Sequence, residues 1–127
     1  MIVCDTHAWF WWASEDRRLS VAARRRIEES DDVLVSAISC WEVAMLVARD
    51  RVRFDRDVLV WIRDALALPR VRLVELSPEI VVEASRLEWG HRDPADRIIV
   101  ATALVLRAPI VTKDRVIRAF QSVRTVW

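Results

Sequence analysis

His91-Arg92-Asp93-Pro94-Ala95-Asp96-Arg97 runs without a break into Ile98-Ile99-Val100-Ala101-Thr102-Ala103-Leu104-Val105-Leu106. The first half predicts a helix start. Asp93 is placed to cap it, Pro94 falls where a missing N–H costs nothing, and Asp96 takes the third position of a capping box. The second half is apolar on nearly every face, so the helix is expected inside the molecule rather than on its surface. Capping accounts for two acids in a first turn, since the helix dipole favours each by ~0.3–1 kcal/mol. A site of chemistry is the other reading, and the rest of the chain bears on the choice.

Acids recur at matching places. The apolar run Met1-Ile2-Val3-Cys4 is ended by Asp5, and Ile110-Val111-Thr112 is followed by Asp114. After the run Val33 to Ser36, Ser39-Cys40-Trp41-Glu42 is expected to open a helix with Glu42 at its third position. Two acids thus follow strands and two sit in helix first turns. Parallel strands would put all four at the carboxyl edge of the sheet, where open α/β sheets carry their sites.

Working outward, Thr6 is expected to cap a short helix through Ala8-Trp9-Phe10-Trp11-Trp12, and Ser20 a second one from Val21 to Glu29. The Ser39 helix runs to about Arg49. Asp55 or Asp57 starts another, with Val58, Trp61, Ile62, Ala65 and Leu66 on one face and Pro69 beyond its end. Val71 to Leu76 reads as a strand, Ser77-Pro78-Glu79 as a helix start, and Gly90, the only glycine, as a helix stop. A short helix near Arg115 to Phe120 and a strand at Val123 to Trp127 complete the order. Strands alternating with helices imply right-handed crossovers and a three-layer α/β/α sandwich around a mainly parallel sheet.

At 127 residues the chain is expected to form one domain, 1–127, with a core of its own. No uncharged run approaches the ~18 residues of a membrane span, and the apolar start lacks a basic leader. A cytoplasmic protein without membrane association is expected, with Cys4 and Cys40 as thiols rather than a bridge. Of the 20 basic residues one, Lys113, is lysine. Arginine suits phosphate, but Arg24-Arg25-Arg26 reads equally as a solvated helix face. Seven tryptophans are many for so short a chain. Trp9, Trp11 and Trp12 point about 100° apart per residue, so at least one is expected outside, at an interface.

Were Asp5, Glu42, Asp96 and Asp114 to converge, their mutual repulsion would reach roughly 3 kcal/mol per pair at an effective dielectric near 20. Such a cluster is unsuited to a purely structural role and suited to a cation cage. Oxygen-only donors favour Mg²⁺, with Mn²⁺ as the other candidate, over Zn²⁺. One or two such ions can polarise a phosphodiester and activate water near neutral pH.

Four segments together resemble the PIN-domain ribonucleases, and within them the VapC-type toxins of toxin–antitoxin pairs. These are Asp5-Thr6-His7-Ala8, Ser39-Cys40-Trp41-Glu42-Val43-Ala44, His91 to Arg97, and Val111-Thr112-Lys113-Asp114. The resemblance spans nearly the whole chain. It implies a Mg²⁺-dependent endoribonuclease with Asp5, Glu42, Asp96 and Asp114 as the acidic quartet. Asp93, Thr112, Thr6 and Ser39 become polar neighbours of those acids. Because a metal-bound water needs no histidine, His7 reads as a surface residue or a neighbour of the site rather than a general base. It also implies an RNA substrate, a homodimer, and an antitoxin whose helix or extended tail fills an apolar groove. One departure stands out: where many relatives carry a glycine before a basic residue, this chain has Asp50-Arg51. Two other functions stay open here, a receiver-type phosphoacceptor domain and a PIN-like interaction module without catalysis.

Overall fold

A computed structural model describes residues 1–127. Five strands form one sheet in the order β3-β2-β1-β4-β5, every neighbouring pair parallel. They are β1 (Ile2–Cys4), β2 (Val33–Ser36), β3 (Val71–Val74), β4 (Ile110–Val111) and β5 (Thr125–Val126). The helices are α1 (Thr6–Ala13), α2 (Val21–Glu28), α3 (Ala37–Ala48), α4 (Val58–Leu66), α5 (Pro78–Arg86), α6 (Pro94–Leu106) and α7 (Arg115–Ala119). The expected three-layer α/β/α sandwich is what the chain adopts. A receiver-type sheet has the order 2-1-3-4-5, which this is not.

Strand alternation builds the two cores. Ile2, Cys4, Val33, Val35 and Val111 join Trp9, Ala23, Trp61 and Ile62 on one face. Val3, Leu34 and Ile110 join Ile99, Val100, Ala103 and Ile117 on the other. The period of two sends neighbours on a strand to opposite helical layers. That is why Cys4, fully buried, points away from the acid that follows it, and both cysteines are free thiols.

The chain first builds outward from β1 through β2 to β3, then crosses back to lay β4 on the other side of β1. The direction reverses beside β1, and open α/β sheets place their crevice at that reversal. Register makes the place specific: Cys4 pairs with Val35 on one side and Val111 on the other. The residues one step further, Asp5, Ser36 and Thr112, therefore sit abreast at the carboxyl edge.

Several local expectations are corrected. Asp5, not Thr6, caps α1, with its side chain accepting from the Ala8 amide. Ser36, not Ser39, caps α3, so the helix starts at Ala37 and Glu42 is its sixth residue rather than its third. The last helix turn of α5 ends at Arg86, and Gly90 does not stop it. Instead Arg97 reaches back from α6 to bond the carbonyls of Ala84 (3.0 Å), Leu87 (2.8 Å), Trp89 (2.8 Å) and His91 (3.0 Å). One planar guanidinium thus serves the carbonyls that a left-handed glycine would have helped to pair. β3 and β5 are shorter than their apolar runs. The tryptophans of α1 are covered: Trp9 and Trp11 are buried and Trp12 is half-buried. The exposed tryptophan is Trp41, at 57%. On α2, Arg24 and Arg25 pair with Glu28 and Glu29 one turn on, so that cluster is a solvated face.

Three α-helices end at or next to a residue in the left-handed region, Glu15 (φ 53°), Asp50 (φ 56°) and Arg107 (φ 55°), and Arg70 (φ 66°) takes the same conformation in the turn before β3. At the end of α3 the Asp50 amide bonds the Val47 carbonyl (3.1 Å) and the Arg51 amide the Leu46 carbonyl (2.9 Å). These are the two bonds of a Schellman motif. Asp50 therefore does what a glycine does at this turn.

Candidate active site

Each acid arrives on a different element. Asp5 leaves β1 and turns the chain into α1; its Oδ1 accepts the Ala8 amide at 2.8 Å, and the residue is 8% exposed. Burial pushes its carboxyl up to about 6, helped by the charges of Asp96 and Asp114 and opposed by hydrogen bonding from Thr112 and Ala8. Asp114 caps α7, with Oδ1 accepting the amides of Val116 (2.8 Å) and Ile117 (3.0 Å). Its own amide donates to Thr112 Oγ1 at 3.0 Å. Thr112, fully buried, thus ties the end of β4 to both acids.

Glu42 enters from the second turn of α3. The Thr6 hydroxyl bonds its Oε1, and Thr6 Oγ1 lies 2.9 Å from Ser39 Oγ. A hydroxyl has one proton, so Thr6 donates to the carboxylate and Ser39 donates to Thr6. That chain fixes α1 against α3. Burial raises the Glu42 pKa, with Asp96 and Asp93 adding to the rise and Thr6 opposing it.

The start of α6 separates capping from chemistry. Asp93 Oδ1 accepts the Asp96 amide at 3.1 Å and does the capping. The reciprocal bond of a capping box is replaced by another: Asp96 Oδ2 lies 2.6 Å from His91 Nε2. So the Asp96 carboxylate is turned from the helix end toward the site. Burial again raises its pKa, with Asp93 and Asp114 adding and His91 opposing.

Asp5, Glu42, Asp96 and Asp114 line one cleft of about 490 Å³, together with Thr6, His7, Trp11, Asp93 and Lys113. Ser39 is buried beneath it. Lys113 is the one lysine or arginine of that lining. His7 is packed against Trp11, with ring centroids 5.4 Å apart. Burial and the nearby Arg18 lower the His7 pKa, which favours the neutral ring.

No three of these side chains are drawn tightly enough together to hold an ion unaided. The donor set still fits Mg²⁺ or Mn²⁺. It is all oxygen, and the capping and hydroxyl bonds engage one oxygen each on Asp5, Glu42 and Asp114. Mg²⁺ uses one or two carboxylates and retains several waters, so spaced carboxylates suit it better than a closed cage.

Sequence reading gave His91 no role, although it stands five residues before Asp96. What hid the pairing is the loop that delivers it: Arg97 fixes the Trp89 and His91 carbonyls, and Trp89 packs between His91 (4.9 Å) and Phe120 (4.7 Å, stacked). None of those contacts has a sequence spacing that announces it.

Comparison with known proteins bears on the family and the fold. The PIN domain family profile matches residues 2–123. Ribonuclease VapC22 of Mycobacterium tuberculosis (strain ATCC 25618 / H37Rv) is 38% identical, covering 99% of this chain and 98% of its own. VapBC2 from Rickettsia felis, solved bound to a DNA fragment from its promoter, superposes with a TM-score of 0.73 at 13% identity over 98% of this chain and 97% of that one. FitAcB from Neisseria gonorrhoeae gives 0.70 at 18% identity, covering 98% and 96%. A toxin–antitoxin complex from Klebsiella pneumoniae gives 0.69 at 19% identity, covering 100% and 97%. With the family profile matching residues 2–123 and a relative 38% identical over nearly the whole of both chains, the chain belongs to the PIN-domain family.

Proposed function

We propose that this protein is a Mg²⁺-dependent endoribonuclease of one domain, residues 1–127, acting as the toxin of a toxin–antitoxin pair. The observation that carries the reading is the cleft itself: four carboxylates from four elements line it at the sheet reversal, three of them with raised pKa values. The full-length likeness to a protein named as a ribonuclease supports RNA as the substrate. Toxin–antitoxin complexes among the structural neighbours support an antitoxin protein as partner. A homodimer and a cytoplasmic setting belong to the same proposal; no helix is long and apolar enough to cross a membrane.

Asp5, Glu42, Asp96 and Asp114 would hold the metal. When bound, Mg²⁺ or Mn²⁺ supplies charge neutralisation, polarises a phosphodiester and lowers the pKa of water at the site. The chain's own residues do the rest. His91 sets the direction of the Asp96 carboxylate, and the Ser39–Thr6 pair sets that of Glu42. Thr112 keeps Asp5 and Asp114 in register across β1 and β4. Lys113 brings positive charge to a cleft otherwise dominated by acids, where a phosphate must enter.

The test is cleavage of total RNA with Mg²⁺ or Mn²⁺ and with EDTA, for the wild type and Asp96→Asn. Asn keeps the shape and removes the charge. Activity is expected to stop in EDTA and to fall on the order of a hundredfold or more in the variant, equivalent to about 3 kcal/mol of transition-state stabilisation. Cleavage that persists in EDTA, or a fully active Asp96→Asn, would refute the assignment.

A further inference from the structure

Beside the acid cleft lies a larger groove of about 730 Å³ that shares Thr6, His7, Glu42 and Asp93 with it. Its wall is one face of α3. Trp41, Met45 and Arg49 recur every four residues along that face. Trp41 is 57% exposed, the most exposed aromatic side chain of the molecule, and it immediately precedes Glu42. At the far end stand Arg49 and Arg51, both exposed, and these are the two arginines that line the groove. The Schellman turn at Asp50 fixes where Arg51 leaves the helix, at the end of the groove.

We propose that this groove holds the single-stranded RNA flanking the cleaved bond, with a base stacked on Trp41 and backbone phosphates on Arg49 and Arg51. The inference rests on the ribonuclease reading above and adds a substrate subsite to it. Ile38, Met45, Leu46 and Leu76 also line the groove, and three observations point to nucleic acid as its occupant. The groove shares four lining residues with the acid cleft, so it offers a continuous path to the nucleotide next to a phosphate held there. The distance from Glu42 to Arg49 along the helix is about 10 Å at 1.5 Å per residue, the length of a short stretch of single strand. Finally, an exposed aromatic face followed by exposed arginines is the pairing that single strands use, stacking for the bases and charge for the backbone. A base stacked on one ring is read through its π-face, so Trp41 would govern affinity more than sequence choice.

The experiment compares Trp41→Ala, Trp41→Leu and Trp41→Phe with the wild type, each first checked for an unchanged thermal melt. Cleavage of a randomised pool of short single-stranded RNAs is measured with Mg²⁺. The same pool carrying 5-iodouridine is cross-linked by ultraviolet light and the adducts mapped by mass spectrometry. Expected are a KM about tenfold higher for Ala and Leu with kcat retained, near-wild-type behaviour for Phe, and a wild-type cross-link on the Trp41 peptide. Arg49→Ala and Arg51→Ala should each lower the slope of log affinity against log salt by about 0.7. Unchanged KM in all three Trp41 variants, or rescue by Leu as complete as by Phe, would overturn the stacking subsite. So would variants that keep RNA affinity but lose the homodimer or the complex with a co-expressed antitoxin, since the face would then belong to a protein. If the wild type cleaves nothing, the ribonuclease reading fails, and the cross-link still decides whether single-stranded RNA lies on Trp41.

Discussion

The carboxyl edge of the sheet and the aromatic layer on its α1–α4 face are built by opposite rules. In the aromatic layer packing favours the fold: Trp9 is fully buried, its ring centroid 5.4 Å from that of Trp61, and Phe54 stacks on Trp61 at 4.3 Å. At the carboxyl edge, Asp5 is buried and Glu42 and Asp96 are half-buried, and burial and mutual repulsion raise the pKa values of all three. One region supplies stability and the other consumes it. The edge survives because each acid has a local structural partner, an amide for Asp5 and Asp114, a hydroxyl for Glu42 and an imidazole for Asp96.

The sharpest way to break that contrast is to cut into the aromatic layer. Trp9→Ala is expected to destabilise the fold by about 3–5 kcal/mol, measured by chemical denaturation. Trp9 Nε1 has no hydrogen-bond partner, so Trp9→Phe should cost much less, because the lost nitrogen forfeits no bond. Equal losses for Ala and Phe would mean that the indole is held by more than packing.

The edge should respond in the other direction. The carboxyl of Asp5 titrates at its ordinary 3.8 when unfolded and near 6 when folded. A folded pKa above the unfolded one means that the native state binds the extra proton. Stability is then greatest below about pH 4 for this group and falls as pH rises through 6. In EDTA, Asp5→Asn is expected to flatten that fall and to raise stability near pH 8 by at most about 3 kcal/mol. Mg²⁺ should reverse the order by stabilising the wild type alone. A wild type whose stability is flat between pH 4 and 7 without metal would show that the edge carries no such burden.

The smallest effect concerns the helix ends. Arg107, exposed and left-handed at the end of α6, should gain about 1 kcal/mol on Arg107→Gly. Asp50→Gly should gain less, because aspartate tolerates that conformation better than most residues. Loss of stability in both would place the decisive cost in the unfolded chain.

The strand and helix order was legible because short continuous apolar runs and buried or amphipathic helices alternate without interruption. The acids were legible because each stands at a strand end or near a helix start. The exact caps were harder. Asp5-Thr6 and Ser36 to Ser39 each offer adjacent cap-competent residues, and only the register of β1 and β2 decides which one turns the chain. The fate of Trp12 and the exposure of Trp41 depended on where α2, α4 and β5 come to rest, which no local pattern encodes. His91 and Arg97 act through a loop held by carbonyls, and carbonyls leave no trace in side-chain identity.

With one glycine among 127 residues, this chain has few points at which its backbone can roam when denatured. Each left-handed helix end carries a local cost in the native state, yet a side chain at that position also narrows the ensemble from which folding begins. The two effects oppose each other at the helix ends Glu15, Asp50 and Arg107, and in the same way at Arg70 before β3. The molecule has in effect shifted part of its ordering cost from entropy lost on folding to strain kept afterwards, and heat, which weights entropy more heavily, favours that exchange.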